Sequence, residues 1–210
     1  MSLMPFTSSP IVIALAWALY GALHSLLASR QFKSWIATAW PNSTAYYRLA
    51  YNLLAIALLI PLLLATESAS DDWLWRWEGY LAWVAHAMTG LVLLGFVWSS
   101  RAYDTREFLG LDVRANKAKP QLGLSPLHRF VRHPWYALGL VWLWTRDMDS
   151  ARLAATLTLS VYVWIGAHLE DIKLEQELGE CYHRYRAQVP GLIPWPGRVL
   201  SRSEYEQLKN

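Results

Sequence analysis

Apolar residues in this chain are gathered into long blocks separated by short polar stretches, rather than spaced three and four apart along one face. The first block, Pro10 to Ala28, is nineteen residues without a charge. At 1.5 Å rise per residue it reaches across a hydrocarbon core roughly 30 Å thick. Further blocks run from about Leu49 to Thr66, from Tyr80 to Trp98 and from Ala151 to Leu169. Between the last two lies a shorter apolar stretch, Trp135 to Thr145, joined to the final block through the turn Arg146-Asp147-Met148-Asp149. Such a stretch is too short to span alone. The fourth helix must therefore be short, begin earlier near Leu127 with a kink at Pro134, or lean on its neighbours. The pattern predicts an all-α integral membrane protein with about five transmembrane helices, a carboxyl-terminal amphipathic helix and a Pro-rich tail. Residues 1–210 are read as a single integral-membrane domain, with three amino-terminal helices in 1–98 and a core of the helix 4–5 hairpin and tail in 99–210.

Composition agrees with that pattern: 54% of residues are hydrophobic and 17% charged. The first block has no basic region before it and no small-residue cleavage site after it, so it is expected to be a retained helix. The thirteen Trp residues collect near block ends, at Trp73, Trp75, Trp77, Trp98, Trp135 and Trp144, as an interfacial belt would. Cys181 is the single cysteine, which excludes a disulfide framework and a Cys-based zinc site.

Loop charges predict the sides. Arg30, Lys33 and Arg48 lie in one connection, and Arg101, Arg106, Arg114, Lys117, Lys119, Arg129 and Arg132 in another. The alternate loop, Glu67 to Gly79, sets two aspartates and two glutamates against Arg76 alone. The positive-inside rule then places the amino terminus outside and the carboxyl terminus in the cytoplasm. In that topology His24, Arg48, Asn52, Arg132, His133, Glu170 and Asp171 all fall at inner helix ends, whereas His86 does not. A charge at a helix centre costs on the order of 2.5 to 3.5 kcal/mol, so intramembrane polar residues serve a partner or a pathway. Residues near helix ends also snorkel to water cheaply, but agreement among several helix ends points to a site.

The tail reads "HLEDIKLEQELGECYHRYRAQVPGLIPWPG" from His168. Leu174, Leu178, Tyr182, Tyr185 and Val189 recur at intervals of three and four, which predicts one apolar stripe on a helix running to about Gln188. Gly179 would then sit mid-helix at a cost of about 1 kcal/mol, for a close helix contact or for a ligand against the backbone. His133 before Pro134 suits a helix start. With Arg132 beside it, that corner is also suited to a carboxylate or phosphate. Glu170 and Asp171 supply the opposite charge, so a ligand carrying both signs fits both ends.

"RHPWY" at 132–136, "EDxxL" at 170–174 and "GxxYxxYxxxVPxxIP" from Gly179 to Pro194 resemble the integral-membrane methyltransferases that include isoprenylcysteine carboxyl methyltransferase and phospholipid methyltransferases. The matched core covers roughly the last 85 residues. The amino-terminal stretches "HSLLASRQFKSW" at 24–35, "YRLAYNLLA" at 47–55 and "DTREFLGLD" at 104–112 resemble the small bacterial branch with methanethiol S-methyltransferases and NnrU proteins. The resemblance implies a methyltransferase of the bacterial inner membrane. It further implies S-adenosylmethionine held at the cytoplasmic end of the last two helices and enclosed by the tail. Arg132, His133, Pro134 and Tyr136 match its RHPxY motif. Glu170 and Asp171 take its paired-glutamate position, Asp171 being one methylene shorter. His128, Leu174, Gly179, Tyr182, Tyr185 and Pro190 complete the implied cofactor set. Leu178 replaces a common phenylalanine and Gly191 a common bulkier or basic residue, both changes bearing on the substrate entrance.

Methyl transfer from a sulfonium is an in-line displacement that needs positioning and exclusion of water but no enzyme nucleophile. The chain accordingly lacks a nucleophile elbow, a zinc signature and a P-loop. A thiol acceptor must become a thiolate, which a nearby Arg or His favours. His24, Arg48, Asn52 and Arg101 are the candidates, with Tyr47 and Tyr51 shaping the entrance; each also suits a lipid headgroup. A thiol is the first expectation for the acceptor, with a lipid amine and an isoprenyl carboxylate open beside it. The expected partners are the bilayer and a small or lipophilic acceptor, not nucleic acid. Two other readings stand alongside: an NADPH-dependent membrane reductase of related fold, and a non-enzymatic accessory protein of the NnrU kind. His128, His133, His168 and His183 have no recognised ligand spacing, and no metal site is expected.

Overall fold

A computed structural model describes residues 9–68, 73–104, 106, 109–111 and 124–209. Arg114, Lys117 and Lys119, the acidic pair Asp71 and Asp72, and Thr105, Glu107, Phe108 and Asp112 of the 104–112 stretch lie outside the described residues. The protein is an all-α, multi-pass membrane protein. Among the described residues, four helical segments are long and apolar enough to cross a bilayer: 10–28, 41–67, 79–100 and 150–178. The chain forms two compact units. The first comprises the described residues of 9–76, 106–111 and 147–162, and the second those of 77–104, 124–146 and 163–209.

In the first unit, helix α1 (Pro10–Ala28) starts with proline at its first turn, where no N–H is needed. It stops at Ser29, whose extended backbone also begins α2 (Arg30–Ala39), with the Ser29 hydroxyl accepting from Phe32 N at 3.2 Å. A 3-10 turn over Pro41–Tyr46 leads into α3 (Tyr47–Glu67). Pro61 lies inside α3, as membrane helices tolerate. Ile13 and Trp17 of α1 pack with Ala151 and Ala155, flanked by Leu59, Leu62 and Leu63 of α3. The Trp17 indole donates to Thr66 Oγ1 at 3.0 Å, so its polar edge is satisfied inside that cluster. Strand β1 (Trp73–Trp75) pairs antiparallel with β2 (Met148–Asp149). Asp149 then caps the next helix, α6 (Ser150–Leu178), accepting from Arg152 N at 2.7 Å.

In the second unit, α4 (Gly79–Ser100) packs on α5 (Pro134–Trp144). A Cβ on Gly95 would come within 2.9 Å of Leu138, so glycine sets how closely those two helices approach. Of the alternatives open for the fourth helix, the structure adopts the short one. α5 begins at Pro134, after a 3-10 turn at Pro126–Arg129. Its N-cap His133, at φ −120° and ψ 70°, lies outside the helical region, from which a residue before proline is driven.

The tail differs from the sequence expectation at one point. Gly179 is not mid-helix: it ends α6 and precedes α7 (Glu180–Gln188) with φ 58° and ψ −135°. That backbone conformation is strained for any residue with a Cβ. Nothing lies within 4 Å of where that Cβ would be, so conformation, not crowding, accounts for the glycine. The break folds α7 so that Tyr182, Tyr185 and Val189 pack with Leu124, Leu200 and Tyr205, against Leu174 and Leu178. Full burial of an aliphatic side chain such as Leu200 or Val189 stabilises by about 1.5 to 3 kcal/mol. A last helix, α8 (Arg202–Lys209), contributes Tyr205, whose hydroxyl donates to Leu124 O at 2.8 Å.

Candidate functional site

The second unit gathers most of the sequence-predicted residues around one carboxylate. Asp171, in the last turns of α6, is 4% exposed. Arg132 donates to it twice, from Nε to Oδ1 at 3.0 Å and from Nη2 to Oδ2 at 2.5 Å, the two-pronged geometry that makes arginine–carboxylate pairs strong. The Tyr182 hydroxyl donates to Oδ1 at 2.5 Å, and His133 Nε2 lies 2.8 Å from the same oxygen. Arg186 Nε stands 3.9 Å from Oδ2.

The same arginine holds the tail. Arg132 Nη1 donates to the carbonyls of Arg186, at 3.2 Å, and Val189. The main chain beside it continues the grip, with Arg132 N donating to Pro190 O at 2.8 Å and His133 N to Gly191 O at 3.1 Å. Pro190 has no N–H to give, so its carbonyl is its whole contribution. A Cβ on Gly191 would sit 3.4 Å from Arg132 Nη2, an ordinary contact, so the guanidinium packs directly against this part of the tail. The Arg132 donors are thus directed at Asp171 and at tail carbonyls. Arg129 Nε adds a bond to Leu200 O at 3.0 Å, and Tyr185 donates to His128 O at 2.8 Å.

Electrostatics follow from this packing. Burial opposes the Arg132 charge, but the hydrogen bond and charge of Asp171 outweigh it and raise the guanidinium's pKa. Burial likewise opposes charge on His133, yet hydrogen bonds and charge from Asp171 and Glu170 raise its pKa above 6.5. Burial, reinforced by the bond to Asp171, pushes the Tyr182 hydroxyl up, and it stays protonated.

Glu170 differs from its neighbour. Its side chain is 44% exposed, with Oε2 at 3.4 Å from His133 Nδ1. The Tyr136 hydroxyl hydrogen-bonds it. The Tyr136 ring stacks on the His133 imidazole, centroids 5.7 Å apart and planes 18° off parallel. A carboxylate reachable from outside suits a cation. Adjacent in sequence, the two acids therefore have separate surroundings: Asp171 is enclosed by donors and Glu170 is accessible.

His128 lies apart from this cluster. It is 8% exposed, with Nδ1 within 2.9 Å of both the N–H and the hydroxyl of Ser125 in a capping arrangement. Burial pushes its pKa down to about 4 and keeps it neutral. Ser125 in turn accepts from Ser99 at 2.9 Å, and Ser99 accepts from the Trp135 indole at 3.0 Å. Leu174 packs on the tail core, and Pro134 sets the start of α5. Sequence reasoning missed Arg186 and Glu175, whose 2.5 Å bond ties α7 to α6. The signal available was the spacing of Arg186 four residues after Tyr182, on the same helix face.

Three of the four acceptor candidates belong to the first unit. His24 Nε2 lies 2.7 Å from the Tyr51 hydroxyl. Asn52 Nδ2 donates to Leu109 O at 3.1 Å, and Gly110, with φ 78°, lies so near α3 that a Cβ would reach Leu49 N at 2.6 Å. Asn52 thereby pins the 109–111 turn to α3, while Arg48 beside it is exposed. Arg101, in the second unit, is the exposed C-cap of α4. Tyr47 donates to Leu27 O at 2.7 Å, linking α3 to the end of α1.

No family model matches the chain. No solved structure matches it. Curated proteins do. A methanethiol S-methyltransferase of Pseudomonas sp. strain GM41 is 31% identical over 199 residues, covering 91% of this chain and 76% of that protein. The methanethiol S-methyltransferase of Mycobacterium tuberculosis is 28% identical, over 92% of this chain and 82% of its own length. Methanethiol S-methyltransferase 2 of Bradyrhizobium diazoefficiens is 27% identical, over 95% and 78%.

Proposed function

The chain belongs to the methanethiol S-methyltransferase family, and from that premise we propose that it is a membrane-embedded methyltransferase that uses S-adenosylmethionine to methylate a small thiol. The observation that carries the reading is accessible Glu170, hydrogen-bonded by Tyr136, beside a buried clamp that fastens the tail. Relatives named for a thiol support the acceptor class. The proposed setting is the bacterial inner membrane, with the carboxyl terminus in the cytoplasm.

The residues fit such a cofactor by charge. Its amino group meets Glu170, which the Tyr136 hydroxyl also hydrogen-bonds, while His133 turns its two ring nitrogens to Asp171 and Glu170 and so orients both acids. When bound, the cofactor supplies a methyl group on a positively charged sulfur. Arg132, Asp171 and Tyr182 position: they hold residues 186–191 against the start of α5, so that α7 and the tail enclose the site and exclude water. Of the two acids, Glu170 takes the ligand contact and Asp171 the structural one. His24, Arg48, Asn52 and Arg101 remain the candidates for favouring the thiolate, His24 foremost because it is paired with a second titratable side chain, Tyr51.

Isothermal titration of the purified protein in nanodiscs with S-adenosylhomocysteine tests the cofactor reading. Saturable binding is expected, weakened about tenfold or more in Glu170→Gln. Absence of binding in the folded wild-type protein, or NADPH binding in its place, overturns it.

A further inference from the structure

Helix α2 buries none of its residues against the described chain, although it carries two aromatic rings and an isoleucine. At about 100° per residue, Phe32, Trp35, Ile36 and Ala39 fall on one face, and Arg30, Lys33, Ser34 and Ala37 on the opposite one. Trp35 is 53% exposed, and Trp40, which follows the helix, 55%. Their rings meet edge-on at 5.3 Å, and Trp35 lies 5.4 Å from Phe32. A short helix with an aromatic face and a cationic face suits a boundary between oil and water.

The neighbours fix the level of that boundary. α2 joins two segments long and apolar enough to span, so it sits at the surface where α1 ends and the next span begins. Phe32 lies 6.3 Å from Tyr47, the first residue of α3, and the Tyr47 hydroxyl donates to Leu27 O, in the last turn of α1, at 2.7 Å. The aromatic face is therefore level with the ends of both spans, the depth at which indoles meet headgroups. Charge then names the headgroup. From Ser29 to Thr66 the chain has no Asp or Glu, while Arg30 and Lys33, one turn apart on the polar face, are both exposed.

We propose that α2 lies in the plane of the membrane surface and docks an anionic phospholipid, with Phe32, Trp35 and Ile36 against its acyl chains and Arg30 and Lys33 reaching its phosphate. The long stems of both cations let the charge reach headgroup level from the polar face. A phosphatidylcholine carries its own cation beside the phosphate, so two further cations favour the lipid that lacks one. The contact fixes the depth of the α1–α3 pair and is independent of the methyl acceptor.

A bimane fluorophore on an introduced cysteine, in a Cys181→Ser background, tests this in nanodiscs. Ala37→Cys places the label on the polar face and Ala39→Cys on the apolar one. Water-like emission at 37 and blue-shifted emission at 39 are expected; the same emission at both overturns the in-plane placement. Phosphatidylglycerol or phosphatidylcholine with a nitroxide on its acyl chain near the headgroup is then added in trace amount to phosphatidylcholine nanodiscs. Quenching at 39 should be at least about twofold greater for phosphatidylglycerol, and the preference should shrink at high salt. Arg30→Gln with Lys33→Gln should equalise the two lipids, whereas Arg30→Lys with Lys33→Arg should retain the preference. Arg30→Gln alone serves if the glutamine pair misfolds, folding being checked by circular dichroism. Inorganic phosphate should weaken the preference no more than chloride at equal ionic strength; specific displacement by it overturns the lipid as occupant. Equal quenching by both lipids in the labelled parent, or a preference surviving in the folded uncharged variant, also overturns the proposal. Blue-shifted emission at 39 without quenching by either lipid does so too, since protein would then cover the face.

Discussion

Arg132 and Asp171, thirty-nine positions apart, meet through two parallel hydrogen bonds of 3.0 and 2.5 Å, and the same guanidinium reaches the tail carbonyls of Arg186 and Val189. One residue at the mouth of α5 therefore fastens both the end of α6 and the segment that follows α7.

Removing one partner of a buried, hydrogen-bonded ion pair leaves the other charge uncompensated, at a cost of about 3 to 5 kcal/mol. Asp171→Ala should lower thermal stability by that order and expose the 186–200 segment to protease. Wild-type stability with an intact tail would contradict the clamp.

Two histidines should give the stability curve opposite flanks. The folded pKa of His133 is raised above 6.5, so its contribution is complete below 6.5 and lost as pH rises through the folded value. His128 is depressed to about 4, so its contribution is present above 6.5 and lost as pH falls towards about 4. Thermal unfolding across this range should show His133→Gln flattening the alkaline flank and His128→Asn the acid one. Flanks unchanged in both variants would refute these assignments.

Gly179→Ala places a Cβ at φ 58° and ψ −135°, in open space but in a conformation that costs on the order of 1 to 3 kcal/mol. Lower stability, with Glu180→Ala as a mild control, is expected. A neutral Gly179→Ala would show that the α6–α7 break tolerates a side chain.

Much of this was legible in the chain. Block length predicted the spanning helices, and the spacing of Leu174, Leu178, Tyr182, Tyr185 and Val189 predicted the faces that form the tail core. The break at Gly179 was not, because periodicity cannot distinguish one helix from two that keep the same stripe. The separation of Glu170 from Asp171 was also hidden: adjacent helical residues point in directions about 100° apart, and only the fold says which direction is enclosed. The hold of Arg132 on the tail was hidden as well, because the carbonyls of 186 and 189 are backbone atoms that no side-chain pattern records. In the first unit Tyr20 with His24 and Tyr47 with Tyr51 were visible as four-residue spacings, but the meeting of His24 with Tyr51 across α1 and α3 was not.

The central claim is thiol methylation, and headspace mass spectrometry addresses it directly. Purified protein in nanodiscs would be incubated with methyl-deuterated S-adenosylmethionine and methanethiol, with Glu170→Gln alongside. The account predicts deuterated dimethyl sulfide from the wild-type protein and at least about tenfold less from the variant. Absence of labelled product from wild-type protein that binds S-adenosylhomocysteine, or equal product from both proteins, would contradict it.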